Sequence, residues 1–213
     1  MRVAIVGAGD LGAQLTHHAG ALDDMEIAGF FDDMRDPGSL WAGRPVLGRI
    51  GDATDAFRRG AFDRLLIGVG YRHMARRQAL FDELGRAVPF ARLVHPGAQV
   101  DRSATIGDGA VVYPGCVVDM DAEIGPNALL NVGCVIAHHS RIGAGCFLSP
   151  AVKVAGFVSV DPMVSLGIGT VIIDNIRIVS GVRTGAGAVV IDDIGEPGLY
   201  VGVPARFKKS LES

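Results

Sequence analysis

The sequence predicts two domains: a small α/β unit of Rossmann-like type over residues 1–92, then a left-handed parallel β-helix over residues 93–213. Three observations carry this reading. From Val94 to Gly195 the chain divides into seventeen consecutive blocks of six without an insertion, and each begins with Val, Ile or Leu except the one at Thr184. The fifth residue of every block is Ala, Cys, Ser, Thr, Val or Ile. Upstream, the apolar run Arg2-Val3-Ala4-Ile5-Val6 leads directly into Gly7-Ala8-Gly9-Asp10-Leu11-Gly12, a GxGxxG pattern. A period of six is neither the 3.6 of a helix nor the 2 of an alternating strand. It marks a hexapeptide β-helix, in which each block is one face of a triangular coil and three blocks close a turn.

Two hundred and thirteen residues suffice for two modest cores, and 49% hydrophobic with 20% charged residues is a globular composition. The net charge of -3 gives no case for nucleic acid or for a membrane surface. Met1 runs straight into the first strand with no stretch resembling a signal peptide, so a cytoplasmic location is expected. Cys116, Cys134 and Cys146 all occupy fifth positions and should face the narrow core, where small hydrophobes in a reduced compartment are expected ahead of a redox pair or a nucleophile.

Taken in order, Arg2 to Val6 is the first strand, and Ala13 to Leu22 reads as the helix that follows the glycine loop. Such glycines let a backbone turn tightly and approach a phosphate, while the helix start offers free N–H groups to an anion. A second strand, Glu26 to Phe31, ends at Asp32-Asp33, where a carboxylate suits ribose hydroxyls or the donors of a base. Arg35 to Gly48 is loop with a short strand at Pro45-Val46-Leu47, and Asp52 to Arg59 reads as helix. A third strand, Arg64 to Val69, ends at Gly68-Val69-Gly70, and the next helix, Arg72 to Leu84, opens on Arg72. With three or four parallel strands, this unit has room for one nucleotide rather than a dinucleotide. The glycines could also serve only to close a strand–helix turn. The Asp32-Asp33 and Gly68–Gly70 termini at the same sheet edge favour a nucleotide.

Arg92 to Pro96 joins the domains, with His95 as a structural residue at the first turn of the coil. Within the coil, His138 occupies the third, outward position of its block. A metal is not expected, because the residues one coil away are Met120 and Gly156 rather than a third histidine. An outward histidine can instead take a proton from an attacking amine or hydroxyl, or it can be simply a solvent-exposed histidine on an ordinary coil, and the residues alone do not separate the two. Gly156, eighteen residues on, lets a ligand approach its N–H, which could hold a thioester carbonyl as an oxyanion donor.

The hexads, the block Asn131-Val132-Gly133-Cys134-Val135-Ile136-Ala137-His138, the Pro150–Gly156 segment and the ending Gly202-Val203-Pro204-Ala205 resemble the nucleotide-amino-sugar N-acetyltransferases. That family includes enzymes of UDP-4-amino sugars and GDP-perosamine and is related to the sialic acid O-acetyltransferases. Its N-terminal domain is similar to residues 1–92, so the resemblance covers nearly the whole chain. It implies His138 as catalytic base and Gly156 as the N–H donor to the thioester carbonyl. It implies a nucleotide-sugar site at Gly7, Gly9, Gly12, Asp32 and Asp33, and the residues of this chain extend that expected site to Asp10, Gly68, Gly70 and Arg72. Acetyl-CoA is the implied co-substrate, lying past Ala186 and Gly187, with Arg206, Lys208 and Lys209 for its phosphates, a placement that charge also suggests. A homotrimer with active sites between subunits is implied too.

Three positions depart from the family pattern. His139 follows the base where the family has an acid, and Asp121, one coil before His139, could supply that carboxylate. Phe147 replaces a second active-site histidine, and Asp10-Leu11 replaces the usual Gly-His or Gly-Phe of the glycine loop. The resulting expectation is N-acetylation of a nucleotide-linked amino sugar. O-acetylation of a sialic-acid-like sugar and a non-catalytic nucleotide-binding β-helix are the alternatives.

Overall fold

The structure, a computed structural model of the chain, describes residues 1–211. The chain forms two compact units, Met1–His95 and Pro96–Ser213. The division falls three residues beyond the expected junction. The segment after α3 still belongs to the first unit: Phe90 bridges Leu65, and His95 packs edge-on against His18 at 5.5 Å.

In the first unit β1 (Arg2–Val6) pairs in parallel with β2 (Glu26–Phe31). The hairpin β3 (Leu40–Trp41) and β4 (Arg44–Gly48) lies beyond β2, and β5 (Arg64–Ile67) flanks β1 on the other side, giving the order β3-β4-β2-β1-β5. Only β3 runs antiparallel, and its Ala42-Gly43 turn has both φ angles positive, at 46° and 74°. A two-residue hairpin turn of that kind matches the twist of its strands.

Three helix boundaries differ from the sequence expectation. Helix α1 is Asp10–Ala19, starting three residues earlier, because Gly9 caps it in an extended conformation. Asp10 then sits in the first turn, where a carboxylate meets the positive end of the helix dipole. A single 3-10 turn, Ile50–Asp52, precedes α2 (Ala53–Arg58), and another, Tyr71–His73, precedes α3 (Met74–Leu84), so Arg72 lies on a tight turn before the helix.

The second unit is a stack of parallel coils. Outward and inward residues alternate within two-residue strands, and each strand pairs with the one eighteen residues later, as Val117 does with Val135 and Val135 with Lys153. One face runs from Gln99–Val100 to Val189–Val190, a second from Thr105–Ile106 to Arg177–Ile178, and a third includes Val111–Val112 to Val182–Thr184. This parallel stacking fits the left-handed coil expected from the repeat. First-position residues such as Val118, Ile136, Val154 and Ile172 are buried in register, and apolar burial at about 25 cal/mol per Å² makes this column the main stabilising term. The exception, Thr184, is also buried: its hydroxyl pairs with that of Thr170 at 2.7 Å and accepts from the Gly167 N–H.

The corners obey a rule of their own. The fourth residue of the block adopts positive φ at turn after turn, for example Gly133 at 70° and Gly145 at 65°. The third residue's N–H is not needed by the strand ladder. Five third positions, Pro96, Pro114, Pro126, Pro150 and Pro162, are accordingly proline, which has no N–H to donate. The three cysteines line the core, and their thiols donate to carbonyls of the next coil, Cys116 to Asn131 at 3.0 Å. Burial pushes the Cys146 thiol up to about 12, far from a reactive thiolate.

Candidate active site

His138 stands at the corner between the strands Val135–Ile136 and Arg141–Ile142. Gly156 occupies the same corner one coil on. A Cβ there would meet the His138 ring at 2.7 and 2.9 Å, so the imidazole lies directly over the glycine. The Gly156 φ is not positive, so the glycine answers to the ring above it and not to backbone strain. Its N–H belongs to the third-position class and makes no bond within the strand ladder, whereas its neighbours Ala155 and Phe157 donate to Ile172 and His138. An N–H left open beside an imidazole can donate to a developing oxyanion.

His139 extends the corner. The Nδ1 atoms of His138 and His139 lie 3.2 Å apart, and Nε2 of His139 faces Oδ2 of Asp121 at 3.6 Å. The arrangement selects tautomers. A carboxylate beside Nε2 of His139 favours the proton there, which leaves its Nδ1 as acceptor. In that tautomer His138 donates from Nδ1 and keeps a lone pair on Nε2, the form a general base needs.

Phe157, which the sequence reading passed over, is part of this group. It stacks on His139 at 4.9 Å with a 27° tilt and stands edge-on to His138 at 5.2 Å. Its ring is about half exposed and its φ is 58°. That φ is the one fourth positions take throughout the coil, as Met163 does at 64°, so what distinguishes Phe157 is its ring contacts with His138 and His139. The signal in the sequence was a large aromatic in a fourth position that otherwise takes Gly, Asn or Asp at many corners.

Phe147 lies elsewhere in the chain's own coil, on the third face, where it is buried. Ala186 and Gly187 form an exposed turn at a different corner from His138. Arg206 pairs with Asp192 at 3.0 Å, at the His138 corner three coils on, or about 14 Å at ~4.8 Å per coil. Lys208 is exposed on the same final strand, Arg206–Lys209, which returns antiparallel along Gly198–Val201. Among the described residues no group of three His, Cys, Asp or Glu could hold a metal ion, and no helix is long and apolar enough to cross a membrane.

In the first unit the glycine loop is braced from all sides. Asp32 Oδ2 accepts the Ala8 N–H at 2.7 Å, and its Oδ1 accepts from the N–H groups of Met34 and Arg35. Asp33 Oδ1 accepts from Ile50. Both carboxylates therefore hold the loop and its neighbours in place. A Cβ on Gly12 would collide with the Gly7 carbonyl, and one on Gly68 would stand 2.7 Å from the same oxygen. Gly9 and Gly70 differ, since a Cβ on either would meet nothing within 4 Å. The fold would accept side chains there, so their smallness keeps space in front of the loop open. Arg35 and Trp41, also unremarked in the sequence, both bond loop carbonyls.

No protein-family model matches the chain, and no curated protein matches it. Solved structures do. GDP-perosamine N-acetyltransferase PerB from Caulobacter crescentus, in complex with CoA and GDP-perosamine, is 32% identical over 98% of this chain and 97% of that one, with a TM-score of 0.89. A histidine-to-asparagine mutant of that enzyme superposes with a TM-score of 0.91 at 31% identity, covering 99% of this chain and 98% of that one. The acetyltransferase domain of PglB from Neisseria gonorrhoeae is 27% identical over 97% and 99% of the two chains, with a TM-score of 0.87.

Proposed function

The chain belongs to the nucleotide-amino-sugar N-acetyltransferases, and we propose that it acetylates its acceptor at the corner formed by His138, His139, Asp121, Gly156 and Phe157. The reaction is transfer of the acetyl group of acetyl-CoA to the amine of a nucleotide-linked amino sugar. The carrying observation is the His138 ring over Gly156, which sets a base and an open N–H side by side.

His138 Nε2 takes the proton as the amine attacks the thioester carbon, and the Gly156 N–H holds the carbonyl oxygen as charge builds on it. The thiolate leaves with a proton supplied from His138. His139 and Asp121 keep Nε2 in the basic tautomer, so a histidine replaces the acid that usually follows the base. The exposed cations Arg206, Lys208 and Lys209 fit the phosphates of CoA. Ala186 and Gly187 would line the CoA path on a neighbouring subunit of a homotrimer.

The first unit, Rossmann-like in its parallel sheet and glycine loop, would hold the nucleotide of the sugar. Gly7, Gly12 and Gly68 shape the loop, Gly9 and Gly70 leave the ligand room, and Asp10, Asp32, Asp33 and Arg72 border it. Replacing His138 with Ala is expected to lower kcat roughly 10²–10⁴-fold while the KM for acetyl-CoA stays near wild type. An unchanged kcat in that variant would remove His138 from the mechanism.

A further inference from the structure

The glycine loop carries an arginine that the sugar-acetylation reading leaves unexplained. Arg35 Nε donates to the Ala8 carbonyl at 2.8 Å, and the Arg35 guanidinium lies 3.5 Å from the centroid of the Trp41 ring. Trp41 Nε1 in turn donates to the Gly9 carbonyl at 3.2 Å. Both residues are thus fastened to the two carbonyls that immediately precede helix α1. Trp41 owes its place to the tight Ala42-Gly43 hairpin that turns β3 back along β4. Backbone bonds fix the approach as well, since Asp32 Oδ1 receives the Arg35 N–H at 3.1 Å.

This bonding uses one of the five guanidinium N–H groups. The terminal amino groups make no hydrogen bond or ion pair among the described residues, although Asp32 and Asp33 are close in sequence and Asp32 accepts the Arg35 backbone N–H. A guanidinium keeps its charge at any working pH, and its planar fork suits phosphate oxygens. Stacking on an indole holds such a group in one orientation, which reduces the entropy lost on binding. A fixed cation at the mouth of the loop also offsets the Asp10 carboxylate, which on its own opposes a phosphate there.

We propose that Arg35 is the diphosphate-binding cation of the nucleotide-sugar site and that Trp41 is the positioning residue that orients it. The proposal rests on the nucleotide-sugar reading above. The competing account is that Arg35 is only a strut tying the hairpin to the loop. A strut would matter equally for ligands with and without phosphate, whereas a phosphate ligand would not.

The test is calorimetric titration of the full chain with UDP, GDP and dTDP and with the matching nucleosides, for wild type, Arg35→Gln, Arg35→Lys and Trp41→Phe. For the diphosphate that wild type binds, Arg35→Gln is expected to weaken affinity about 10–100-fold, as the loss of charge-assisted bonds does. The matching nucleoside should change less than about threefold. Arg35→Lys should recover part of the loss, and Trp41→Phe, which removes the bond to Gly9, should fall between wild type and Arg35→Gln. Wild-type affinity for the diphosphate in Arg35→Gln overturns the proposal, as does an equal loss for nucleoside and diphosphate. If Arg35→Gln melts well below wild type, Arg35→Lys carries the decision by the same comparison. A wild-type chain that binds none of the three diphosphates removes the nucleotide-sugar reading itself, and this proposal with it.

Discussion

Gly156 has no side chain because the His138 ring fills the space where one would stand. Its φ would admit alanine without strain, so Gly156→Ala is a test of the ring alone. The added methyl should tilt the imidazole away from the thioester and lower kcat by about 10²-fold or more, as misplacement of a reacting group does. The melting temperature should change little. Retained kcat in Gly156→Ala would mean that the base works from another position. Phe157 invites a complementary experiment. Phe157→Gly relieves a left-handed residue and so should not destabilise the coil, yet it removes the stack on His139. A loss of kcat of about tenfold is expected, in line with an aromatic contact of ~1 kcal/mol. His139→Asp should hold activity better than His139→Ala, because an acid in that place can accept the same Nδ1 proton of His138. At this scale the eighteen-residue step placed Gly156 next to His138 and Asp121 next to His139 at one corner of successive coils, while the roles proposed for them came from the family resemblance. For Phe157 it offered only an unusual aromatic at a fourth position, because the ring's contacts with His138 and His139 depend on its orientation.

Helix α1 joins the glycine loop to a histidine cluster at its other end. His17 and His18 close its last turn, and the His18 ring meets His17 at 5.2 Å and His95 at 5.5 Å. Burial, with His17 and His95 nearby, holds His18 below the usual histidine range. Protonation therefore costs more in the folded chain than in the unfolded one. The stability this represents is present above about pH 6.5 and is lost as the pH falls below it. Thermal melts between pH 7.5 and 5.5 should show a falling midpoint, and the fall should be smaller in His18→Gln. Equal slopes in the two proteins would separate the cluster from the pH response. Elements of this unit were legible to different degrees. The strands β1 and β2 follow from their apolar runs, whereas the start of α1 was misread. The motif Gly7–Gly12 looks like a loop to its end, but its last three residues are helical because Gly12 must press against the Gly7 carbonyl.

For the whole molecule, one face of the coil carries the outward, half-buried Val117, Val135, Val171 and Val189, with the exposed Lys153 set between Val135 and Val171. An apolar strip of that kind favours a neighbouring surface, and it agrees with the trimer proposed above. Sedimentation should give three times the 22.2 kDa of one chain. Val171→Glu, placing charge in the strip, should yield monomers that still unfold cooperatively but acetylate poorly. Monomers with wild-type turnover would put a complete site within one chain. Hexads at six-residue spacing determined the coil, because a buried aliphatic every six residues leaves a parallel β-helix as the way to stack them. The eighteen-residue step set His138 over Gly156 for the same reason. Only the tertiary structure brings Nδ1 of His139 within 3.2 Å of Nδ1 of His138 and sets the Asp121 carboxylate behind it, the contacts on which the proposed tautomer rests. Likewise the fold alone brought Arg35 and Trp41 to the glycine loop, because a hairpin turn, and no repeat in the sequence, carries Trp41 back over residues that precede it by thirty or more positions.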